Sequence, residues 1–134
     1  MKKIYFALII MGLMTTTSCE KLGLPSDEKT TYTYTNNLDM SSVQQYISSW
    51  TDQIREYDGS GSCIASNTIS PLSQRSRTFT ANSNAVKVKV YVDIRFKSTY
   101  TQKKKWVQHV YYLEKGGNTN IRIDNNTLMG LYEP

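Results

Sequence analysis

Histidine, cysteine and proline are scarce in this chain: one His, two Cys and three Pro among 134 residues. A single His with no second His or Cys at ligand spacing argues against a zinc site. Two cysteines cannot build a disulfide scaffold. No apolar run reaches the roughly 20 residues that a membrane-crossing helix needs. There is no phosphate-binding glycine loop and no nucleophile-elbow motif. Asp58-Gly59-Ser60-Gly61-Ser62 lacks the density of oxygen ligands that a calcium loop requires. The formal charge is +5, and Lys2 and Lys3 supply two of the positive charges at the extreme N-terminus. That balance is too mild for a nucleic-acid binder, and no recognisable module accompanies it. The length fits one domain with a single core.

What is present begins with an address. Lys2 and Lys3 precede an apolar run of 11 residues, Ile4 to Met14. The run is too short to span a bilayer, and its length and flanks fit a secretory signal. The residues that follow, Thr16-Thr17-Ser18-Cys19, resemble the lipobox of bacterial lipoproteins, with Thr16 standing where the usual pattern has Leu. The resemblance implies removal of residues 1–18 and acylation of Cys19. It places the chain in the cell envelope, on the outer membrane of a Gram-negative bacterium. A single acyl chain binds a membrane marginally and two or more hold firmly; this family's anchor supplies at least two, palmitate among them. Membrane attachment through Cys19 is therefore the first expected contact.

Residues 19–38 read as the lipidated N-terminus and a tether, with Pro25, several charges and little to bury. A flexible coil of that length averages roughly 25 Å end to end. Within it, Thr31-Tyr32-Thr33-Tyr34-Thr35 alternates residues that favour strands, so a short edge strand at 31–35 is the other reading. Residues 39–134 form the expected domain. Met40, Val43, Ile47, Trp50, Ile54 and Tyr57 recur at spacings of three and four, which predicts a helix from Asp39 to Tyr57. Asp39 stands as its N-cap and Gly59 as its stop. Short strands are expected at 64–69 and 77–81. The strongest pattern follows: Val86, Val88, Val90, Val92, Ile94 and Phe96 alternate with Lys87, Lys89, Tyr91, Asp93, Arg95 and Lys97. Such alternation means a long strand with one buried face. A turn at 98–102 leads to a second strand over 104–115. Gly116-Gly117 then suits a tight hairpin turn, a strand returns over 118–124, and a short last one covers 128–132. The expected class is α+β: one amphipathic helix packed on a curved antiparallel sheet of about four strands. That element order is similar to the cystatin-like and nuclear-transport-factor-like rolls.

Few residues offer chemistry. His109 sits mid-strand, and a catalytic role for it has no motif behind it. Asp52 and Glu56 lie one helical turn apart on the expected helix's exposed face and read as solvated. With Cys19 lipidated, Cys63 has no partner in the chain. It reads as a buried thiol, an interchain disulfide or a reactive group. No cofactor, metal or catalytic residue is indicated. The remaining signal is basic. Lys87, Lys89, Tyr91, Arg95 and Lys97 share the wet face of the long strand, and Lys103, Lys104 and Lys105 adjoin it. Lysines on a strand also discourage edge aggregation. As a contact surface, the set suits an acidic protein, a polysaccharide or lipid headgroups, and not nucleic acid. The expected function is a non-catalytic binding or accessory module of the envelope. The competing expectation is a small-ligand carrier or enzyme with a pocket inside the roll. The anchor is open to test with labelled palmitate in cells: the unaltered chain takes up label and Cys19→Ala does not, whereas equal labelling would refute the lipobox reading.

Overall fold

The computed structural model describes residues 28–97 and 102–134; the expected signal, Cys19, most of the tether and the turn at 98–101 lie outside the described residues. In chain order the strands are β1 (Thr31–Asn36), β2 (Ile47–Tyr57), β3 (Cys63–Ile69), β4 (Ser76–Thr80), β5 (Lys87–Phe96), β6 (Gln102–Val107), β7 (Tyr111–Tyr112), β8 (Asn118–Ile123) and β9 (Met129–Gly130). A single 3-10 turn, Gln44–Tyr46, precedes β2. The larger sheet has the order β9-β6-β5-β2-β3, and β7 pairs with β5 where β6 leaves it. The smaller has the order β4-β1-β8. Every neighbouring pair is antiparallel except β1 and β8, which run parallel.

The two sheets enclose one core. On β5 the alternation predicts the register: Val88, Val90, Val92 and Ile94 are buried, while Lys87, Lys89, Tyr91 and Asp93 are half-exposed on the other face. Opposite them stand Tyr32 and Tyr34 of β1, Ile121 and Ile123 of β8, and Phe79 of β4. Each sheet must bury its apolar face, and facing the other sheet does so for both. The Thr-Tyr segment inside the expected tether is thus the central strand of the smaller sheet. Gly116 does adopt a positive φ of 72°. It does not close a hairpin, however, because the chain there leaves β7 in one sheet for β8 in the other.

The expected α+β class is overturned: the described residues are nearly all β, and residues 47–57 form a strand where a helix was predicted. The reason lies in a bulge at the start of β2 and in burial on both faces at its end. Its register against β5 shifts between Ile47 and Ser49, and its register against β3 shifts between Glu56 and Tyr57. A bulge inserts an extra residue and changes which face the next side chain takes. Ile47 and Trp50 therefore both point inward at a spacing of three; Trp50 and Ile54 follow by simple alternation at four; Tyr57, three beyond Ile54, is buried on the opposite, outward face, across from Lys87 and under the Lys89 ammonium. A bulged strand has produced the spacing of a helical stripe. Alternation beyond the bulge is masked because two inward positions, Asp52 and Glu56, are acidic.

Those acids were expected in water and are fully buried, at 0% and 1% exposure. Asp52 receives hydrogen bonds from the Tyr34 hydroxyl (2.6 Å), the Asn36 amide (2.6 Å) and the Trp50 indole N–H (3.0 Å). Glu56 receives them from the Tyr32 hydroxyl (2.7 Å), the Asn67 amide (2.9 Å) and the backbone N–H of Asn82 (2.7 Å). The tyrosines come from β1 and the acids from β2, so both contacts cross between the sheets. A hydrogen bond to a charged group contributes about 1.5–3 kcal/mol, whereas a buried carboxylate stripped of its donors costs several kcal/mol, on the order of 3–5. Burial raises the pKa of Asp52 above the ordinary carboxylate value, and its hydrogen bonds and the charge of Arg75 oppose the shift without cancelling it. Burial likewise raises both tyrosines, reinforced by the acids they contact.

Two outcomes follow from this packing. Val90→Asp places an unpartnered carboxylate among Val88, Val92 and Ile54, and costs several kcal/mol, roughly 3–5. Arg95→Asp, on the exposed side of the same strand, stays within about 0.5 kcal/mol. Equal denaturation midpoints for the two would contradict the register. The second outcome concerns pH. An acid whose folded pKa is raised keeps its proton where the unfolded chain has lost it, so its contribution to stability falls as pH rises. Urea midpoints of the unaltered chain should drop relative to those of Asp52→Asn between about pH 4, the ordinary carboxylate value, and neutrality. Parallel curves would show that Asp52 is not held in this way. Asp39, Asp58 and Glu133, whose pKa values are lowered, slope the other way in both proteins and cancel in the difference.

Candidate functional site

The basic residues divide into three groups by register. Lys87 is half-buried opposite Tyr57 and Tyr112. Lys89 and Tyr91 are already occupied. The Lys89 ammonium lies 2.8 Å from the Glu133 carboxylate and 4.6 Å from the centre of the Tyr57 ring, and this bond lowers the pKa of Glu133. Tyr91 packs on Trp106 with ring centres 4.9 Å apart, and the Arg55 guanidinium covers both rings at 5.6 and 5.0 Å. Arg55 is oriented by its bond to Gln53 (2.9 Å). This arrangement explains why Trp106, on the outward face of the sheet, is buried.

The other five cations, Arg95, Lys97, Lys103, Lys104 and Lys105, are exposed where β5 and β6 end and begin. They do not share one face. Lys104 pairs with Asp93 and takes the outward side with Arg95. Lys103 and Lys105 pair with Ile94 and Val92, whose side chains point inward. Directly opposed residues of an antiparallel pair lie on the same face, so these two lysines point toward the smaller sheet. They stay exposed because that sheet has three strands and does not reach over this part of β6. The expected single patch of eight residues centred on Tyr91 is thus corrected. A basic cluster of five caps one end of the sandwich, and Lys87, Lys89 and Tyr91 stand apart from it. One acid lies within the cluster, Asp93, and it accepts a hydrogen bond from Gln102 (2.9 Å).

The opposite end of the sandwich receives the chain from the N-terminus. There the backbone N–H of Thr31 bonds the carbonyl of Gly117, and that of Ala81 bonds the carbonyl of Thr30. Along β5 the two ends are separated by ten residues, or about 33 Å at strand rise. A cavity of about 550 Å³ opens at this N-terminal end, between Lys29, Thr80, Ser83 and Lys115. It lies outside the apolar core, and its lining also includes Glu28.

Other residues with potential chemistry are dispersed. Cys63 is exposed at the start of β3, with its sulfur 3.6 Å from the Ala65 carbonyl, so the expectation of burial is corrected. His109 is exposed between β6 and β7, edge-on to the Tyr111 ring at 4.5 Å. Among the described residues no three His, Cys, Asp or Glu side chains gather as metal ligands. Sequence reasoning missed Arg55, assigned to a helix, and the inward acids. The available signal was the alternation Trp50, Asp52, Ile54, Glu56 facing Tyr32 and Tyr34, which matches hydroxyl donors to carboxylate acceptors. Compared with protein-family models, curated proteins and solved structures, the chain matches none of them.

Proposed function

We propose that this chain is a lipid-anchored, non-catalytic binding module of the cell envelope that docks a polyanionic partner through its basic end. The observation that carries the reading is the cluster of Arg95, Lys97, Lys103, Lys104 and Lys105. All five are exposed, at the end of the sandwich farthest from the point where the tether joins. Cys19 provides the attachment, by the lipobox resemblance, to the outer membrane of a Gram-negative bacterium. Eight residues then separate Cys19 from Glu28, where the described chain begins. The two buried acids of the core are each held by three donors from neighbouring residues.

Docking by such a cluster has a defined electrostatic signature. Exposed cations act mainly on encounter rate and are screened over a Debye length of roughly 8 Å at physiological ionic strength. Lys103 and Lys105 also project over a part of β6 that the smaller sheet leaves uncovered, which gives an extended acidic chain room beside them. Immobilised heparin serves as a polyanion probe. The unaltered protein should be retained at low salt and released as salt rises. Lys103→Glu combined with Lys105→Glu should reduce binding at least about tenfold, with an unchanged circular dichroism spectrum. Retention unaffected by the double substitution would refute the basic end as the docking surface.

A further inference from the structure

The C-terminal segment presents its side chains the wrong way round for a surface strand. Leu128, Leu131 and Tyr132 are 73%, 71% and 82% exposed, while the polar groups of the same segment turn toward the protein. The Leu128 carbonyl accepts the backbone N–H of Gln108 (2.8 Å), and the Tyr132 carbonyl accepts the Gln108 side-chain amide (2.8 Å). Met129 and Gly130 pair with Val107 and Trp106, and Glu133 reaches Lys89. The segment is therefore held at both ends and in the middle, and its apolar side chains are displayed by ordered backbone. Tyr112, 70% exposed, lies on the same side of the sheet, across from Lys87. Four of the molecule's large exposed hydrophobic side chains thus line one flank, beside β9 and β7. Exposed apolar side chains gathered on neighbouring segments of one sheet mark a contact.

We infer that this flank seats the domain on the lipid bilayer, with Leu128, Leu131 and Tyr132 entering the membrane interface. The inference rests on the anchored reading above, and the length of the tether selects the occupant. The residues between Cys19 and Glu28 span at most about 30 Å when fully extended. They join the sandwich beside Gly116, four residues from Tyr112. Any apolar surface on that flank is consequently confined within reach of the bilayer to which Cys19 is fixed, at high effective concentration. Leu contributes buried apolar area, and Tyr suits the interface because its ring is apolar and its hydroxyl remains hydrated. Seated in this way, the sandwich lies along the membrane and its basic end projects over the lipid surface.

The native Cys63 supplies the control, because it opens β3, the edge of the larger sheet opposite β9. The mature lipidated chain is reconstituted into phosphatidylcholine liposomes, whose neutral headgroups remove any charge attraction. An environment-sensitive thiol dye is placed on Cys63, or on Leu131→Cys or Leu128→Cys in a Cys63→Ser background. Lipids carrying a nitroxide then report proximity. The dyes at positions 131 and 128 should be quenched at least about threefold more than the dye on Cys63, with blue-shifted emission. Equal quenching at both edges, greater quenching at Cys63 or none at all would overturn the seating. Absence of the chain from the liposome fraction would overturn the anchor, and the seating with it.

Discussion

Two hydrogen bonds cross the middle of this sandwich, from Tyr32 to Glu56 and from Tyr34 to Asp52, and the packing of the two sheets is organised around them. Apolar contact alone would let a three-stranded sheet slide over a larger one, because valine and isoleucine rows interchange at modest cost. A buried carboxylate permits no such freedom. Displaced from its tyrosine, each acid loses a donor in a medium where nothing replaces it. The spacing reinforces the constraint. The tyrosines are two residues apart on β1 and the acids four apart on β2, so a shift along either strand breaks both pairs. Asn36 and Asn67 satisfy further acceptor positions, which keeps the seam fully bonded.

The same seam accounts for what could and could not be read from the chain. The long alternation on β5 was legible because every inward position is apolar and every outward one polar or aromatic. Short strands at 64–69 and 77–81 were legible from composition and turns, to within a residue. Strand β2 was not. Its inward face contains Asp52 and Glu56, and a bulge before Ser49 together with the outward burial of Tyr57 spaces Ile47, Trp50, Ile54 and Tyr57 like a helical stripe. Propensity held a counter-signal, since Ser48, Ser49 and Thr51 are poor helix formers, but periodicity outweighed it. The tethered Thr-Tyr run was equally ambiguous: its tyrosines are core residues only because two acids meet them from the other sheet. Of the candidate site, the identity of the basic residues was legible and their grouping was not. Grouping depends on the width of the smaller sheet and on Glu133, which arrives from the C-terminus to engage Lys89.

Rigidity in the middle frees the periphery for contact. The larger sheet extends past the smaller on the β6 side, leaving Lys103 and Lys105 uncovered at the far end. The C-terminal segment pairs with Val107 and Trp106, reaches Lys89 through Glu133, and leaves its leucines and Tyr132 exposed. The entry of β1, the exposed C-terminal leucines and the basic end thus occupy distinct parts of one small body. In the function proposed above, attachment, seating and docking are separate tasks, each on its own residues.

The most direct test of the seam is a double-mutant cycle on Tyr34→Phe and Asp52→Asn, read from urea denaturation. If the hydroxyl and the carboxylate hold the sheets in register through their mutual bond, the two losses will be strongly non-additive, with a coupling of about 1–3 kcal/mol. Additivity within about 0.5 kcal/mol would mean that the pair does not join the sheets, and would contradict the account at its centre.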